Sequence, residues 1–161
     1  MPNCRRALRE SLIREMRRFL ADGILFNQQL ADRLGINATD YQILNLLGLY
    51  GPATPSDLAR LSGLSSGGMT VVIDRLEKAH YIERERNPRD RRSVIVRFVA
   101  AKEKRLVGYY KPILARMNKV LASYNEKDLS LIVDFFARSN RAGADRVLTT
   151  QRRITAPGQR H

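Results

Sequence analysis

The chain of 161 residues has little of what catalytic and metal sites require: one cysteine, two histidines and no tryptophan. One cysteine cannot form an internal disulfide, and so few ligands cannot assemble a His/Cys metal cluster within one chain. Nucleophilic catalysis by a Ser/His or Cys/His pair would depend on His80 or His161, and neither has a suitable setting. We therefore predict that the chain is not an enzyme, has no catalytic or metal-binding residues and needs no cofactor.

Long apolar runs are also missing. An uninterrupted apolar stretch of about 18 residues would indicate a membrane-spanning helix, and the chain has none. Arg5, Arg6 and Arg9 stand near the N-terminus without the apolar core of a secretion signal. We expect a cytoplasmic protein with no membrane partner. Hydrophobic residues still make up 43% of the chain, which argues against wholesale disorder and favours one domain with long helical extensions.

Acidic residues are scarce in comparison with basic ones. The chain has 16 Asp and Glu residues against 29 Lys and Arg residues, which gives a net charge of +13. A water-soluble chain of this charge favours a polyanionic partner, and nucleic acid is the usual one. Composition alone leaves an anionic membrane surface open as the alternative.

Apolar residues at three- and four-residue steps predict a long helix over 8–34. Its stripe consists of Leu8, Leu12, Met16, Phe19, Leu20, Leu30 and Leu34. Gly35 is typical of a helix end, and Asn37 with Asp40 has the spacing of an N-cap and its third helical position. The second helix that begins there is predicted to stop at Gly51 and Pro52.

Two short helices are predicted next. Thr54 is a good N-cap, Pro55 suits the first helical position, and Asp57 is an acid three residues after the cap. Gly63 closes this helix, and Ser65 caps another that runs to about Ala79. Two short helices joined by a glycine-containing turn are typical of a helix-turn-helix.

The period then changes to that of strands. Residues 81–86 and 93–99 are predicted strands, and the turn between them, 87–92, is rich in arginine. A hairpin directly after a helix-turn-helix is a wing. Helical patterns return over 106–124 and again after a capping sequence at 125–128.

These patterns predict a mainly α fold with a small β-hairpin wing: a winged helix-turn-helix flanked by long N- and C-terminal helices. The predicted segments are an N-terminal helix over 1–36, a DNA-binding winged helix-turn-helix over 37–100, C-terminal helices over 101–150 and a flexible basic tail over 151–161.

The helix from Ser65 has one apolar face for the core and a second face of small residues. A helix can enter the major groove of double-stranded DNA, small residues let its backbone approach closely, and its N-terminal amides accept a phosphate oxygen. Val71 suits contact with a thymine methyl group, and Arg75 suits a phosphate, whereas Asp74 is expected to pair with Lys78. The predicted DNA-binding residues of this helix are Ser65, Ser66, Gly67, Thr70, Val71 and Arg75. The alternative is that the glycines only loosen the helix start and Val71 packs on a neighbour.

The turn of the hairpin contains Arg89, Arg91 and Arg92 around Asp90. Arginine fits the narrow, negative minor groove of A/T-rich DNA, so these arginines are predicted DNA contacts. Asp90 is expected to brace one arginine without contacting DNA. The alternative is a basic hairpin that is merely solvated.

Together these residues resemble the winged helix of MarR-type transcriptional regulators. The resemblance covers about residues 37–99 and depends on a series of motifs in the right order. They are Gly51-Pro52-x-Thr54-x-x-Asp57-Leu58-Ala59, Gly63-Leu64-Ser65-Ser66-Gly67-Gly68-Met69-Thr70, Asp74-Arg75-Leu76-Glu77 and Asn87-Pro88-Arg89-Asp90-Arg91-Arg92. His80 stands where this family usually has glycine, and histidine tolerates a left-handed turn better than most residues.

The resemblance implies a homodimer in which the first and last helices are dimerisation helices. It also implies binding to a palindromic operator, usually as a repressor, and often release by a small ligand. Asp90 and Arg92 match the family's wing pair, in which the acid braces the arginine that enters the minor groove.

Family regulators that sense small molecules use a cleft between the dimerisation helices and the winged helix. The aromatic residues Phe26, Tyr41, Tyr50, Tyr109 and Tyr110 are candidates for its lining and would suit an aromatic or phenolic ligand. The alternative is that they belong to an ordinary core. Some relatives sense oxidants through a cysteine, and Cys4 lies beside Arg5 and Arg6, which would lower its pKa. The alternative there is an ordinary N-terminal thiol.

The leading interpretation is therefore a dimeric, sequence-specific DNA-binding transcriptional regulator. A nonspecific architectural DNA-binding protein is the main alternative, because the charge of +13 supports it equally well. The small, shaped face at Ser66, Gly67, Thr70 and Val71 argues against it.

Overall fold

The helices and strands of the computed structural model follow the predicted order. The model describes the backbone of residues 2–88 and 93–155, and the side chains of residues 4–88 and 93–142. Within these ranges the elements are α1 (Pro2–Leu34), α2 (Ala38–Tyr50), α3 (Pro55–Ser62), α4 (Ser66–Lys78), β1 (Ile82–Arg86), β2 (Val94–Phe98), α5 (Ala100–Leu121) and α6 (Glu126–Thr155). The predicted fold class, mainly helical with a hairpin wing after α4, is confirmed.

The terminal helices are longer than the sequence predicted. Helix α1 begins at Pro2, before the apolar stripe starts, and α6 continues to Thr155. The backbone of 151–155, in the segment predicted to be a tail, continues this helix despite the polar composition. The rest of that segment, 156–161, lies outside the described residues.

Side-chain caps fix the starts of the three helices in the middle of the chain. Asn37, Thr54 and Ser65 each accept a hydrogen bond from the backbone N–H three residues further on, at 2.8, 3.1 and 3.1 Å. Each satisfies an amide that a helix start leaves without a partner. At the other end of α3, Gly63 has a φ of 78°, which suits a residue without a Cβ. The predicted boundaries of these helices are confirmed. They could be predicted because all these signals are local.

Helix α4 is followed by a left-handed turn at His80. The φ of His80 is 56°, and the backbone N–H of Tyr81 donates to the carbonyl of Leu76 at 2.9 Å. This is the position where the family usually has glycine, and histidine adopts the required conformation as predicted. The turn directs the chain from α4 straight into β1.

The wing is an antiparallel hairpin that is tied to the helix-turn-helix. Ile82 of β1 lies opposite Phe98 of β2. In addition, the backbone of Ala53, between α2 and α3, donates to Val96 at 3.1 Å and accepts from it at 2.9 Å. This third segment anchors the base of a two-stranded ribbon that would be marginal alone.

The core lies within the winged helix and draws little from the long helices. Helix α1 contributes only its last turns, with Leu30 and Ala31 buried, and α5 contributes Leu106. The rest of the core comes from the central elements: Tyr41, Ile43, Leu44, Leu47, Leu58, Met69, Val72, Ile73, Leu76, Tyr81, Ile82, Val96 and Phe98. None of the helices in the described ranges has a stretch apolar enough to cross a bilayer.

The first two thirds of α1 project away from this core and present large apolar side chains to solvent. We call Leu8, Leu12, Phe19, Leu20 and Ile24 the α1 stripe; each is at least half exposed in the single chain. Apolar residues are also exposed on the helices after the wing. They are Val107, Leu114 and Val120 on α5, and Leu131, Val133 and Phe136 on α6. Exposed apolar patches of this extent mark surfaces that bind another protein.

Candidate nucleic-acid interface

Helix α4 has the two faces that its sequence predicts. Met69, Val72, Ile73 and Leu76 are buried against the other helices and the wing. The predicted DNA-binding residues at the start of the helix are exposed: Ser65, Ser66, Gly67, Thr70 and Val71. The side chain of Val71 is 57% exposed, so the alternative that it packs on a neighbouring element is wrong for the single chain.

The two glycines at the start of α4 differ in the space that surrounds them. A Cβ added to Gly68 would lie 3.2 Å from the hydroxyl of Ser65, which caps the helix through the amide of Gly68. A Cβ added to Gly67 would meet nothing within 4 Å, so packing within the chain does not require glycine there. An open position of this kind at a helix start lets the backbone come close to a bound molecule.

Arg75 braces α4 against α2. Its guanidinium donates to both carboxylate oxygens of Asp40, with 2.8 Å between Nε and Oδ2. Only 4% of the Asp40 side chain is exposed, against 46% of that of Arg75, and the carboxylate raises the pKa of Arg75. The phosphate contact predicted for Arg75 stays a prediction, and the structure adds a bracing role that the sequence did not reveal.

Arg84 holds the wing against the same helix from the other side. From β1 its guanidinium donates to the carboxylates of Asp74 and Glu77, one turn apart on α4. Both carboxylates contribute to a raised pKa of Arg84. The expected pair between Asp74 and Lys78 is therefore wrong, because an arginine from another element reaches two carboxylates together. Arg84 also offsets negative charge that would repel phosphates.

The described part of the wing contains a second cluster of charges. Arg97 on β2 lies 3.4 Å from the carboxylate of Glu83 and 2.9 Å from that of Glu85, both on β1. These cross-strand pairs hold the base of the hairpin. The predicted DNA contacts Arg89, Arg91 and Arg92, and the bracing residue Asp90, lie outside the described residues.

Tyr81 joins three elements at the root of the wing. Its hydroxyl donates to the carbonyl of Leu34, at the end of α1, at 2.8 Å. The ammonium of Lys102, in the first turn of α5, lies 4.8 Å from the centre of its ring, which is a cation–π contact. Tyr81 was not among the predicted site residues, and only its place directly after α4 could have suggested this role.

The structure brings together three of the aromatic residues proposed to line a ligand cleft. The hydroxyls of Tyr41 and Tyr110 share a hydrogen bond, and the ring of Phe26 meets that of Tyr110 edge to face at 5.4 Å. Tyr41 is only 2% exposed and belongs to the core, whereas Tyr50 is 65% exposed at the end of α2. Tyr109 is partly buried and packs against the core. The contacts of Phe26, Tyr41 and Tyr110 link α1, α2 and α5.

Cys4, the candidate oxidant sensor, is exposed on α1.

Burial of Tyr41 is expected to make the free energy of unfolding depend on pH in the alkaline range. Burial and the hydrogen bond with Tyr110 raise the pKa of Tyr41 well above its ordinary value of about 10. Above about pH 10 the unfolded chain loses the hydroxyl proton of Tyr41 while the folded chain keeps it, so the free energy of unfolding should fall as pH rises. Urea denaturation from pH 8 to 11 measures the slope.

Tyr41→Phe should make that slope shallower, although some dependence should remain because burial also raises the pKa of Tyr81. Tyr50→Phe, at an exposed position, is the control and should leave the slope as in the wild type. A slope that is the same in Tyr41→Phe and the wild type would contradict the assignment.

Comparisons with known proteins agree with this geometry. Residues 36–94 match the model of the MarR family. The chain is 33% identical to the HTH-type transcriptional regulator YcgE of Bacillus subtilis (strain 168) over 137 residues, which cover 85% of this chain and 89% of that protein. It is also 36% identical over 73 residues to the multiple antibiotic resistance protein MarR of Salmonella typhimurium, covering 45% of this chain and 50% of that protein.

Solved structures support the fold. The transcriptional regulator Tm0710 from Thermotoga maritima matches with a TM-score of 0.60 at 20% identity, over 87% of this chain and 98% of that one. The family consists of regulators and not enzymes, in agreement with the sequence analysis. The chain belongs to the MarR family of winged helix-turn-helix, DNA-binding transcriptional regulators.

Proposed function

We propose that the protein acts as a homodimer that represses transcription by binding a palindromic operator. Helix α4 reads bases in the major groove, and the wing contacts the adjacent minor groove. The observation that carries this proposal is the exposed face of small residues with Val71 on α4, a helix that Arg75 and Arg84 brace on two sides. A fixed helix with a shaped face suits sequence readout better than nonspecific attraction to phosphates.

Dimerisation is supported by the α1 stripe and by the apolar residues left exposed on α5 and α6. A second copy of the chain would remove these side chains from water and present two α4 helices to one duplex. Half-sites should then lie about one helical turn apart, roughly 10 base pairs between centres.

Selection of bound duplexes from a random pool at near-physiological salt tests the proposal. We expect enrichment of a palindrome with half-sites one turn apart. If no sequence is enriched and binding collapses as salt rises, the protein is a nonspecific architectural DNA-binding protein instead.

Val71→Ala is expected to relax the preference at one base position in each half-site. The valine suits a thymine methyl group, and its loss should reduce discrimination there by roughly 1 kcal/mol. Competition binding with operators that vary at each position measures the change. Leu49→Ala, which truncates a similarly exposed apolar side chain on α2, should leave all preferences unchanged. A uniform loss of affinity across all sequences would contradict a readout role for Val71.

Release of the operator by a small, aromatic effector also belongs to the proposal. Its support is the junction where Phe26, Tyr41 and Tyr110 join α1, α2 and α5. A molecule bound beside this junction would change how the dimerisation helices sit on the winged helix, and therefore the distance between the two α4 helices.

A further inference from the structure

We propose that α4 reads bases by their C5-methyl groups, and that Thr70 determines this specificity together with Val71. The ligand class of this face is then the 5-methylpyrimidines, thymine and 5-methylcytosine, whose major-groove edges carry a methyl group that uracil and cytosine lack. The inference rests on the proposed function, because it concerns the same exposed face of α4. Cytosine methylation would then turn a duplex that the protein ignores into one that it binds.

The hydroxyl of Thr70 is engaged within α4. It donates to the backbone carbonyl of Ser66, four residues earlier, with 3.0 Å between the two oxygens. A hydroxyl has one proton to donate, so while this bond is kept Thr70 cannot donate to an acceptor on a base edge. The residue is exposed, and its methyl group therefore remains available for an apolar contact.

The exposed face of α4 has few side chains that read bases by paired hydrogen bonds. The helix Ser66–Lys78 contains no Asn or Gln, which are the usual readers of adenine. Its arginine, Arg75, donates to both carboxylate oxygens of Asp40. Its lysine, Lys78, lies in the last turn, about 10 Å along the helix axis from Val71. The start of α4 is therefore left with apolar groups for direct readout.

Thr70 and Val71 lie on either side of an open line along α4. At about 100° per residue, Gly67 and Asp74 lie near the middle of the exposed face, and Thr70 and Val71 lie about 50° to either side of it. A Cβ added to Gly67 would meet nothing within 4 Å. A DNA edge can therefore approach the backbone at Gly67, which places it between two side chains that carry methyl groups.

The competing explanation is readout by hydrogen bonds from Ser66 and Asp74. The hydroxyl of Ser66 has no hydrogen bond to any residue that the structure describes. The side chain of Asp74 is 60% exposed although it accepts from Arg84, and an aspartate can accept from the amino group of cytosine. Neither contact involves a C5-methyl group, so this explanation predicts equal binding of cytosine and 5-methylcytosine.

Two substitutions at Thr70 separate its methyl group from its hydroxyl. Thr70→Ser removes the methyl group and keeps the hydroxyl, whereas Thr70→Val keeps a methyl group and removes the hydroxyl. On a duplex that the wild type selects from a thymine-containing pool, we expect Thr70→Ser to bind about 10-fold more weakly and Thr70→Val to bind like the wild type. Both variants should fold, because the position is exposed and the three residues have similar helix propensities. The reverse order of affinities would contradict readout by the methyl group.

Selection by the full-length protein from three random duplex pools tests the proposal. The pools contain thymine and cytosine, uracil and cytosine, or uracil and 5-methylcytosine. We expect an enriched palindrome from the first pool and at least about 10-fold weaker binding by the best duplexes of the second. The third pool should recover tight binding, with 5-methylcytosine where the first gives thymine. Uracil keeps the minor-groove edge of thymine, so direct contacts of the wing are unchanged.

The control is Thr70→Ser/Val71→Ala, which should bind a selected duplex and its uracil counterpart equally. Leu49→Ala, at an exposed position on α2, should discriminate between them as the wild type does. If the second pool yields duplexes as tight as the first, or the third recovers nothing, readout by methyl groups is wrong and sequence-specific binding stands. If no pool yields an enriched sequence, the proposed function fails as well.

Discussion

Phe19→Asp is expected to convert the protein from a dimer to a monomer and to lower operator affinity by at least about 100-fold. Phe19 belongs to the α1 stripe and is 57% exposed in the single chain, so its role within the chain's own core is small. In the proposed dimer the aspartate would be buried against apolar groups without a cation to pair with it. Loss of the dimer removes the advantage of binding two half-sites together. Sedimentation equilibrium and operator titration measure the two effects.

Ala7→Asp is the matched control, because it adds the same charge on the side of α1 away from the stripe, about 120° around the helix from Phe19. Ala7 is exposed, so its new carboxylate stays in water. This variant should remain dimeric and bind the operator normally. If Phe19→Asp also stays dimeric, the α1 stripe is not the interface and the paired half-site model loses its main support.

Arg75→Met is expected to lower the free energy of unfolding by about 2–4 kcal/mol. The substitution leaves the carboxylate of Asp40 buried without its guanidinium partner, and a buried charge without a partner is costly. The expected loss of stability is smaller than for a fully buried ion pair because 46% of the Arg75 side chain is exposed. Arg60→Met breaks a comparable pair with Asp57 on the surface and should cost no more than about 0.5 kcal/mol.

The double variant Asp40→Asn/Arg75→Met separates the bracing role of Arg75 from a contact with phosphate. Replacing the carboxylate by a neutral amide should recover most of the lost stability. If Arg75 also contacts phosphate, the slope of log affinity against log salt should still fall by about 1 in this stable variant. An unchanged slope would limit Arg75 to bracing α4, and a single variant as stable as the wild type would contradict the buried pair.

Sequence was sufficient where the determining signals are local. The caps at Asn37, Thr54 and Ser65 act within three residues, so the starts of the middle helices could be predicted. The left-handed turn at His80 was expected only from the resemblance, in which glycine usually stands at this position. The buried face of α4 followed from helical periodicity alone.

Sequence was insufficient where the partner lies on another element. Asp40 and Arg75 are 35 residues apart, and no periodicity relates them. The expected pair of Asp74 with Lys78 followed the rule for neighbours on one helix, but Arg84 reaches Asp74 from β1 and binds Glu77 as well. Two acids one turn apart, facing the predicted wing, were the available signal for an arginine on a strand.

The aromatic residues show the same limit. Tyr41, Tyr50 and Tyr110 have the same side chain, yet Tyr41 is in the core, Tyr50 is exposed and Tyr110 is partly buried against Phe26. Only the packing of α1, α2 and α5 distinguishes them.

The length of α1 places the proposed dimer interface far from the proposed DNA-binding surface. A helix of 33 residues extends about 50 Å, and only its last turns contact the winged helix. If the α1 stripe forms the proposed dimer interface, substitutions in the first two thirds can alter which chains assemble together without disturbing the residues that we propose to read DNA. Among paralogues in one cell, divergence of this segment would keep subunits from mixing while their operators stayed alike. Exchanging the segment between two such proteins would exchange their partners and leave their target sequences in place.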